Sequence, residues 1–303
     1  MRFNKLDLNL LVALDALLTE QSISRAAEKI HLSQPAMSNA LARLREHFDD
    51  ELLIRVGRRM DLSLRAEGLK DPVRDVLVRI DATLSHEPEF RPERSDRLFR
   101  LLVSDYTTTT LMPHVLALAY RAAPRVRFEL HPQVAHPQRP LERGEADLLI
   151  IPTNYCSPEH PVDIVLEETF CCVLWAQSAL TIGPMTVERY MSAGHVVVRP
   201  TDGEPATENW FMRPLALDQR IEAFTYGFAS PAHLIVGTDR IATMHRRLAE
   251  AAIRSLPVAI RELPFEVPKM KQAVQWHSHR TRDPGLVWLR GLVRTAVGMM
   301  DAS

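Results

Sequence analysis

The stretch from Arg25 to Phe48 limits the possible folds most, because two helical patterns meet there across almost no connecting chain. Ser24 is placed to cap a short helix over Arg25 to Ile30, packed through Ala26, Ala27 and Ile30. His31-Leu32 leaves room only for a tight turn, after which Ser33 is the next N-cap and Pro35 fits the first helical turn. From Gln34 to about Phe48, Met37, Leu41, Leu44 and Phe48 recur at i, i+4, i+7 and i+11 and make one apolar stripe. The opposite face carries Gln34, Pro35, Ser38, Asn39, Ala42 and Arg45: amide and hydroxyl groups that reach base edges, and small residues that let a backbone approach. This predicts a helix-turn-helix whose second helix enters a DNA groove. A solvated face on an ordinary helix has the same composition, so the flanking segments must separate the two readings.

They favour DNA. Upstream, Leu10, Leu11, Leu14, Leu17 and Leu18 line one side of a helix from Asp7, its expected cap, to about Thr19; Gln21-Ser22-Ile23 then breaks the pattern. Downstream, Glu51–Val56 and Met60–Ser63 read as short strands around Gly57-Arg58-Arg59, the hairpin wing of a winged helix. Arg55, Arg58 and Arg59 are expected to meet phosphates, positioning a duplex without reading it. Net charge does not announce this: it is −1 overall, and the first 66 residues hold ten Lys and Arg against nine Asp and Glu. DNA binding therefore rests on where the basic residues sit.

From Leu64 to Leu84, Leu69, Val73, Val76, Ile80 and Leu84 alternate by four and three, a seam expected to bury against a second copy of the chain. Pro72 should kink that helix or mark a restart. A linker follows from Ser85 to Ser95, with Pro88 and Pro92 among charges. Beyond it, the strands Leu98–Val103, Val126–Leu130 and Asp147–Ile151 alternate with helices at Leu111–Arg121 and near Arg139–Gly144, which predicts a parallel sheet covered on both faces. Strands at Phe170–Leu174, His195–Val198, Ile221–Phe224 and Ile241–Met244 suggest a second α/β lobe. Gln272–Trp276 and the helix Leu286–Met300 are free to return to the first. The expected organisation is thus a winged helix-turn-helix over 1–63, a dimerising linker helix and hinge over 64–95, and a two-lobed α/β domain over 96–303.

In such sheets ligands collect beyond the carboxyl ends of strands. Ser104, Tyr106, Thr107 and Thr108 follow the first strand, and their hydroxyls and helix-start N–H groups would anchor a carboxylate or phenolate. Pro152 and Asn154 follow the strand ending at Ile151, and His195, Gly227 and Phe228 are the candidates from the second lobe. Thr107 to Thr110 acting only as helix caps, and His195 as a buried structural histidine, are the plainer readings.

Other chemistries find little support. No run approaches eighteen uncharged apolar residues, and the start of the chain does not resemble a signal peptide, so no membrane span and a cytoplasmic setting are expected. Cys156, Cys171 and Cys172 are too few for a disulfide framework, and neighbours on a strand point to opposite faces, so they read as structural. His277 and His279 have no partner at a metal-site spacing and read as a surface loop. No Gly-x-Ser-x-Gly elbow accompanies Ser104-Asp105, and no cofactor is expected. A small-molecule-binding or catalytic α/β protein with an incidental helical N-terminus is the competing class.

Ala26-Ala27, His31-Leu32-Ser33-Gln34-Pro35-Ala36-Met37-Ser38, Leu41, Leu44 and Arg55 together resemble the signature of LysR-type transcriptional regulators. The opening Met1-Arg2-Phe3 with Leu6-Asp7-Leu8-Asn9-Leu10-Leu11 is similar to the nodulation-type (NodD-like) branch, as are Tyr190–His195, Gly237–Met244 and Ala273–Trp276. The resemblance spans essentially the whole chain. It implies a winged helix-turn-helix, a dimerising linker helix and a two-lobed sensing domain like a periplasmic binding protein. It further implies a homodimer or homotetramer on promoter DNA, acting with RNA polymerase, and a small aromatic or phenolic inducer on which Tyr106 and Phe228 could stack. Gln34, Pro35, Ser38 and Asn39 match the family's groove-facing positions, with Ser33, Arg43, Arg45, Arg55, Arg58 and Arg59 around them. One departure stands out: the family's usual Leu-Thr-Pro after the wing is Leu62-Ser63-Leu64 here, which keeps a capping hydroxyl but loses the rigid first-turn proline.

Overall fold

The computed structural model describes residues 8–57, 59–84, 89–133, 136–199 and 219–301, and the chain divides into two compact units, 1–86 and 87–303. Asp7, Arg58 and Pro88, singled out above, lie outside the described residues.

In the first unit, helices α1 (Leu8–Glu20), α2 (Ile23–Lys29) and α3 (Gln34–Phe48) pack through Leu10, Leu14, Leu17, Ala26, Ala27, Met37, Leu41 and Leu44. The cap of α2 is Ser22, not the expected Ser24; its hydroxyl accepts the Arg25 N–H and the helix starts two residues early. Ser33 caps α3 as its spacing requires, and His31 takes the left-handed conformation (φ +57°) that makes the turn so short. Strands β1 (Leu53–Val56) and β2 (Arg59–Leu62) pair antiparallel as the wing.

Helix α4 (Leu64–Leu84) runs unbroken through Pro72, which removes one backbone bond on an exposed stretch and does not restart the helix. Ser63 caps it, its hydroxyl accepting the Ala66 N–H at 3.0 Å. The predicted seam is divided. Ala66, Leu69, Val73 and Leu77 join the core of their own unit, and Arg74 ties α4 to α1 by an ion pair with Asp15 at 2.8 Å and a bond to Thr19. Leu69 and Val73 therefore have an intrachain partner, contrary to expectation, whereas Val76 stays 43% exposed.

The second unit has two five-stranded sheets. The first lobe orders its strands β4-β3-β5-β12-β6, from β3 (Leu98–Val103), β4 (Arg127–Pro132), β5 (Leu148–Pro152), β6 (Val162–Glu168) and β12 (Met270–Gln275). Helices α6 (Met112–Ala122) and α11 (Pro284–Asp301) cover one face through Met112, Val115, Leu286, Leu289 and Val293. The short α7 (Gln138–Glu142) covers the other through Leu141. The second lobe orders β11-β7-β10-β8-β9, from β7 (Phe170–Trp175), β8 (His195–Val198), β9 (Ile221–Thr225), β10 (Ile241–His245) and β11 (Val258–Arg261). Around it lie α8 (Val187–Ser192), α9 (Pro231–Leu234) and α10 (Arg246–Ile253). The chain crosses between lobes twice, at Thr169 and between Arg261 and Met270, and β12 and α11 do return to the first lobe. The sheets are mixed and not parallel throughout: β12 runs antiparallel to both β5 and β6, and β7 to both β10 and β11.

At the foot of the first lobe, Asp283 caps α11 and takes both guanidinium N–H groups of Arg97 at 2.7 Å, while Arg280 bridges it to Asp147. Burial alone would raise the Asp283 pKa, but bonding to Arg97 and the charges of Arg97 and Arg280 outweigh it and hold it at about 2. A depressed carboxylate contributes stability that is present above its unfolded pKa near 4 and is lost as pH falls toward 2. Asp283→Asn is expected to cost about 2 kcal/mol at pH 7. The variant should also lose less stability than wild type between pH 5 and 2 in denaturant titrations; parallel acid profiles would contradict the assignment.

Candidate functional site

Two sites emerge, one in each unit. On α3, Ser33, Gln34, Pro35, Ser38, Asn39, Ala42 and Arg43 are all exposed while Met37, Leu41 and Leu44 are buried, so the polar face points away from the core. Arg45 departs from the expected DNA-facing role. Its guanidinium donates to the carbonyls of Glu51 and Leu53 at 2.8 and 2.9 Å and pairs with the Glu51 carboxylate, bracing the wing against α3. A second brace is Asp50, which accepts the Leu52 N–H at 2.7 Å and the Ser63 hydroxyl at 2.5 Å. Those bonds, Ser63 first, lower its pKa, and they hold Leu52 in the left-handed region at φ +58°. At the wing tip Gly57 adopts φ +62°, and Arg55 and Arg59 are exposed on either side. Arg58 lies outside the described residues.

In the second unit, the segment after β3 meets the second lobe where β9 and β10 end, through Asp105 beside Gly227 and Ala229 and Tyr106 beside His245. Ser104 caps the six-residue helix α5 (Asp105–Thr110), accepting the Thr107 N–H at 3.2 Å, and Thr108 donates its hydroxyl to the Ser104 carbonyl. Much of the polar capacity expected to meet a ligand is thus used within the helix. Asp105 reaches across to the second lobe and accepts the Ala229 N–H at 2.9 Å. Gly227 packs so closely on that carboxylate that a Cβ there would stand 2.8 Å from Oδ2, which explains the glycine. Pro152 is half-buried and Asn154 is exposed on the turn after β5.

Two candidate residues are placed otherwise than expected. Tyr106 does not offer its ring to the cleft: it is buried, donates its hydroxyl to Glu168 at 2.5 Å and lies 4.4 Å from the His245 ring. Burial and the neighbouring Glu168 charge raise its pKa. His195 begins β8, so it sits at the end of the strand away from the cleft. Its Nε2 meets the Tyr190 carbonyl at 2.8 Å and its Nδ1 meets Gln219 at 3.1 Å, and burial lowers its pKa. Phe228 keeps a half-buried ring 5.2 Å from that of His245.

Sequence reading missed Gln272, which pairs across β5 with Pro152 and donates from Nε2 to the Thr107 hydroxyl at 3.1 Å. It also missed Asp105, Glu168 and Arg247 at the junction. The available signal was weak: Gln272 shares its strand with Lys271 and Gln275, so its residue type alone does not set it apart.

Cys171 and Cys172 are buried free thiols, the first pushed up to about 12 by burial and Cys156 to about 11, conditions that suppress the reactive thiolate. His277 is buried and not on a surface loop, its ring 4.6 Å from that of His160. Among the described residues no group of three or more His, Cys, Asp or Glu could hold a metal ion, and no helix is long and apolar enough to cross a membrane.

Comparison with known proteins agrees with this two-part layout. Residues 8–68 match the bacterial regulatory helix-turn-helix protein family of the lysR type, and residues 92–298 match the LysR substrate binding domain. The chain is 44% identical over 295 residues to Nodulation protein D 2 of Bradyrhizobium diazoefficiens, covering 97% of this chain and 89% of that protein. A probable transcriptional regulator from Pseudomonas aeruginosa is similar in structure, with a TM-score of 0.66 at 26% identity over 97% of this chain and 98% of that one. The fold is also that of CbnR solved with its target DNA, at a TM-score of 0.54 and 16% identity over 96% of this chain and 100% of that one. With both domains matched in order and a relative at this identity along nearly the full length, the chain belongs to the LysR family of bacterial transcriptional regulators.

Proposed function

We propose that this regulator reads promoter DNA through the exposed face of α3 and senses a small aromatic or phenolic inducer in the cleft of its second unit. The observation that carries the reading is the outward polar face of α3 beside a wing braced by Arg45 and Asp50. Gln34, Ser38 and Asn39 meet base edges, with Ser33 and Pro35 at the helix start; Arg43, Arg55, Arg58 and Arg59 meet phosphates. Arg45 is assigned to positioning the wing. The regulator works as a homodimer or homotetramer and changes its engagement with RNA polymerase when the inducer binds. CbnR, solved with its target DNA, and the nodulation-protein relatives support the reading. The cleft is supported by the placement of Ser104, Thr107 and Thr108 after β3 and of Pro152 and Asn154 at and after the end of β5, linked through Gln272, with Phe228 beside His245 at the end of β10.

Asn39→Ala and Ser38→Ala should each weaken specific operator binding by about 1–3 kcal/mol and leave non-specific binding nearly intact. Arg59→Ala should weaken both and reduce the salt slope by about one. Mobility shifts on operator and scrambled DNA across a salt series decide this, and an Asn39→Ala protein with wild-type discrimination would refute the reading face.

The divided seam of α4 separates folding from assembly. Val76→Asp places a charge on the exposed stripe and should dissociate the dimer while the monomer stays folded; Val73→Asp should unfold the first unit instead. Light scattering with circular dichroism tells them apart, and an intact oligomer in Val76→Asp would remove α4 from the interface.

Thr108→Val and Phe228→Leu should raise the inducer concentration for half-activation about fivefold or more, each losing one contact. Thr109→Val, on the same helix, should not. Reporter titrations with all three variants unshifted would exclude this cleft.

A further inference from the structure

Gln272 is only 2% exposed, and its two amide atoms are treated very differently. Nε2 is committed to the Thr107 hydroxyl at 3.1 Å, whereas the equally buried Oε1 has no hydrogen-bond partner among the described residues. A buried amide oxygen without a donor is costly, and such sites recur where a bound group completes the bonding. The position suits that role, because Gln272 stands opposite Pro152 at the carboxyl edge of β5 and touches the helix that follows β3.

We propose that Gln272 sets the polarity of the cleft: its Oε1 accepts a hydrogen bond from an uncharged O–H or N–H of the ligand, so the site selects such a donor over a carboxylate of similar shape. This rests on the cleft being the inducer site. The direction follows from the hydrogen-bond chain. Gln272 donates to Thr107 Oγ1, so the Thr107 proton is free for Ser104 Oγ, 3.2 Å away, which also accepts the Thr107 N–H. The chain therefore runs from Gln272 to Ser104 and leaves the Gln272 acceptor for the ligand. Gln272, Thr107 and Ser104 are all neutral, and a carboxylate desolvated beside them would lack a compensating charge. Turning the amide over would reverse the chain and present an N–H, favouring acceptors.

Three matched probes separate these cases: naphthol, its methyl ether and the corresponding naphthoate, titrated by calorimetry into the full chain. Naphthol should bind at least tenfold tighter than the other two. Gln272→Met, which keeps the length and removes the acceptor, should bring the three within about threefold of one another. Thr107→Val, which releases Nε2 and lets the amide turn, should narrow the preference, and it serves as the test if Gln272→Met fails to fold. Wild-type preference for naphthoate, or a naphthol preference that survives both substitutions, overturns the proposal. Equal binding of all three, weakened alike by Phe228→Ala, overturns the polarity assignment while the cleft stands. Binding of none of them overturns the cleft reading as well.

Discussion

Glu168 is the group on which the second unit depends. It is 1% exposed at the end of β6, one residue before the chain first crosses between lobes. A carboxylate cannot stay there without compensation. Compensation comes from three directions: the Tyr106 hydroxyl from α5, the Arg247 guanidinium at 3.4 Å from α10, and the Thr169 N–H at 2.8 Å. One side chain thus ties a helix of the first lobe, a helix of the second lobe and the crossover itself. Tyr106 leans on His245, which burial lowers to about 3 and so keeps neutral, letting an apolar ring stack complete the junction.

That arrangement gives α5 two duties. Tyr106 and Asp105 fasten it to the second lobe, while Ser104, Thr107 and Thr108 lie where β3 opens onto the cleft. Six residues suffice because both ends are tied by side chains: the Ser104 cap at the start and the Thr110 hydroxyl on the Tyr106 carbonyl near the end. A ligand that alters the Thr107–Gln272 contact acts on the helix that also holds the lobes together. The first unit follows the same logic at a smaller scale. Arg45, Asp50 and Ser63 are spent on the wing, so that Ser38, Asn39 and the arginines of the hairpin can be presented in a fixed geometry.

Much of this was legible in the sequence. The stripe of Met37, Leu41 and Leu44, the Ser33 cap and the apolar run Leu148–Ile151 report local periodicity, and each element formed within about a turn of its expected place. Two strands escaped. Val162–Glu168 mixes three charges into its run, and Val258–Arg261 is only four residues long, so neither carries a clear two-residue period. Ser22 and Ser24 are both suited to cap a helix, with starts two residues apart, and the backbone takes the earlier one.

By itself, the sequence determined the winged helix-turn-helix, the long helix after it and the alternation of strands and helices, because periodicity states which side of an element is buried. It does not state against what. Leu69 and Val73 looked like half of an interface and pack on their own α1; Arg45 looked like a DNA contact and holds the wing. Tyr106 and His195 looked like ligand contacts, but Tyr106 finds Glu168 at a separation of 62 residues and His195 starts its strand at the far end. Gln272 meets Thr107 across 165 residues, a pairing that no local pattern encodes. Tertiary structure decided these roles because the free energy of a polar side chain depends on the partner at hydrogen-bond distance, and chain topology alone brings that partner there.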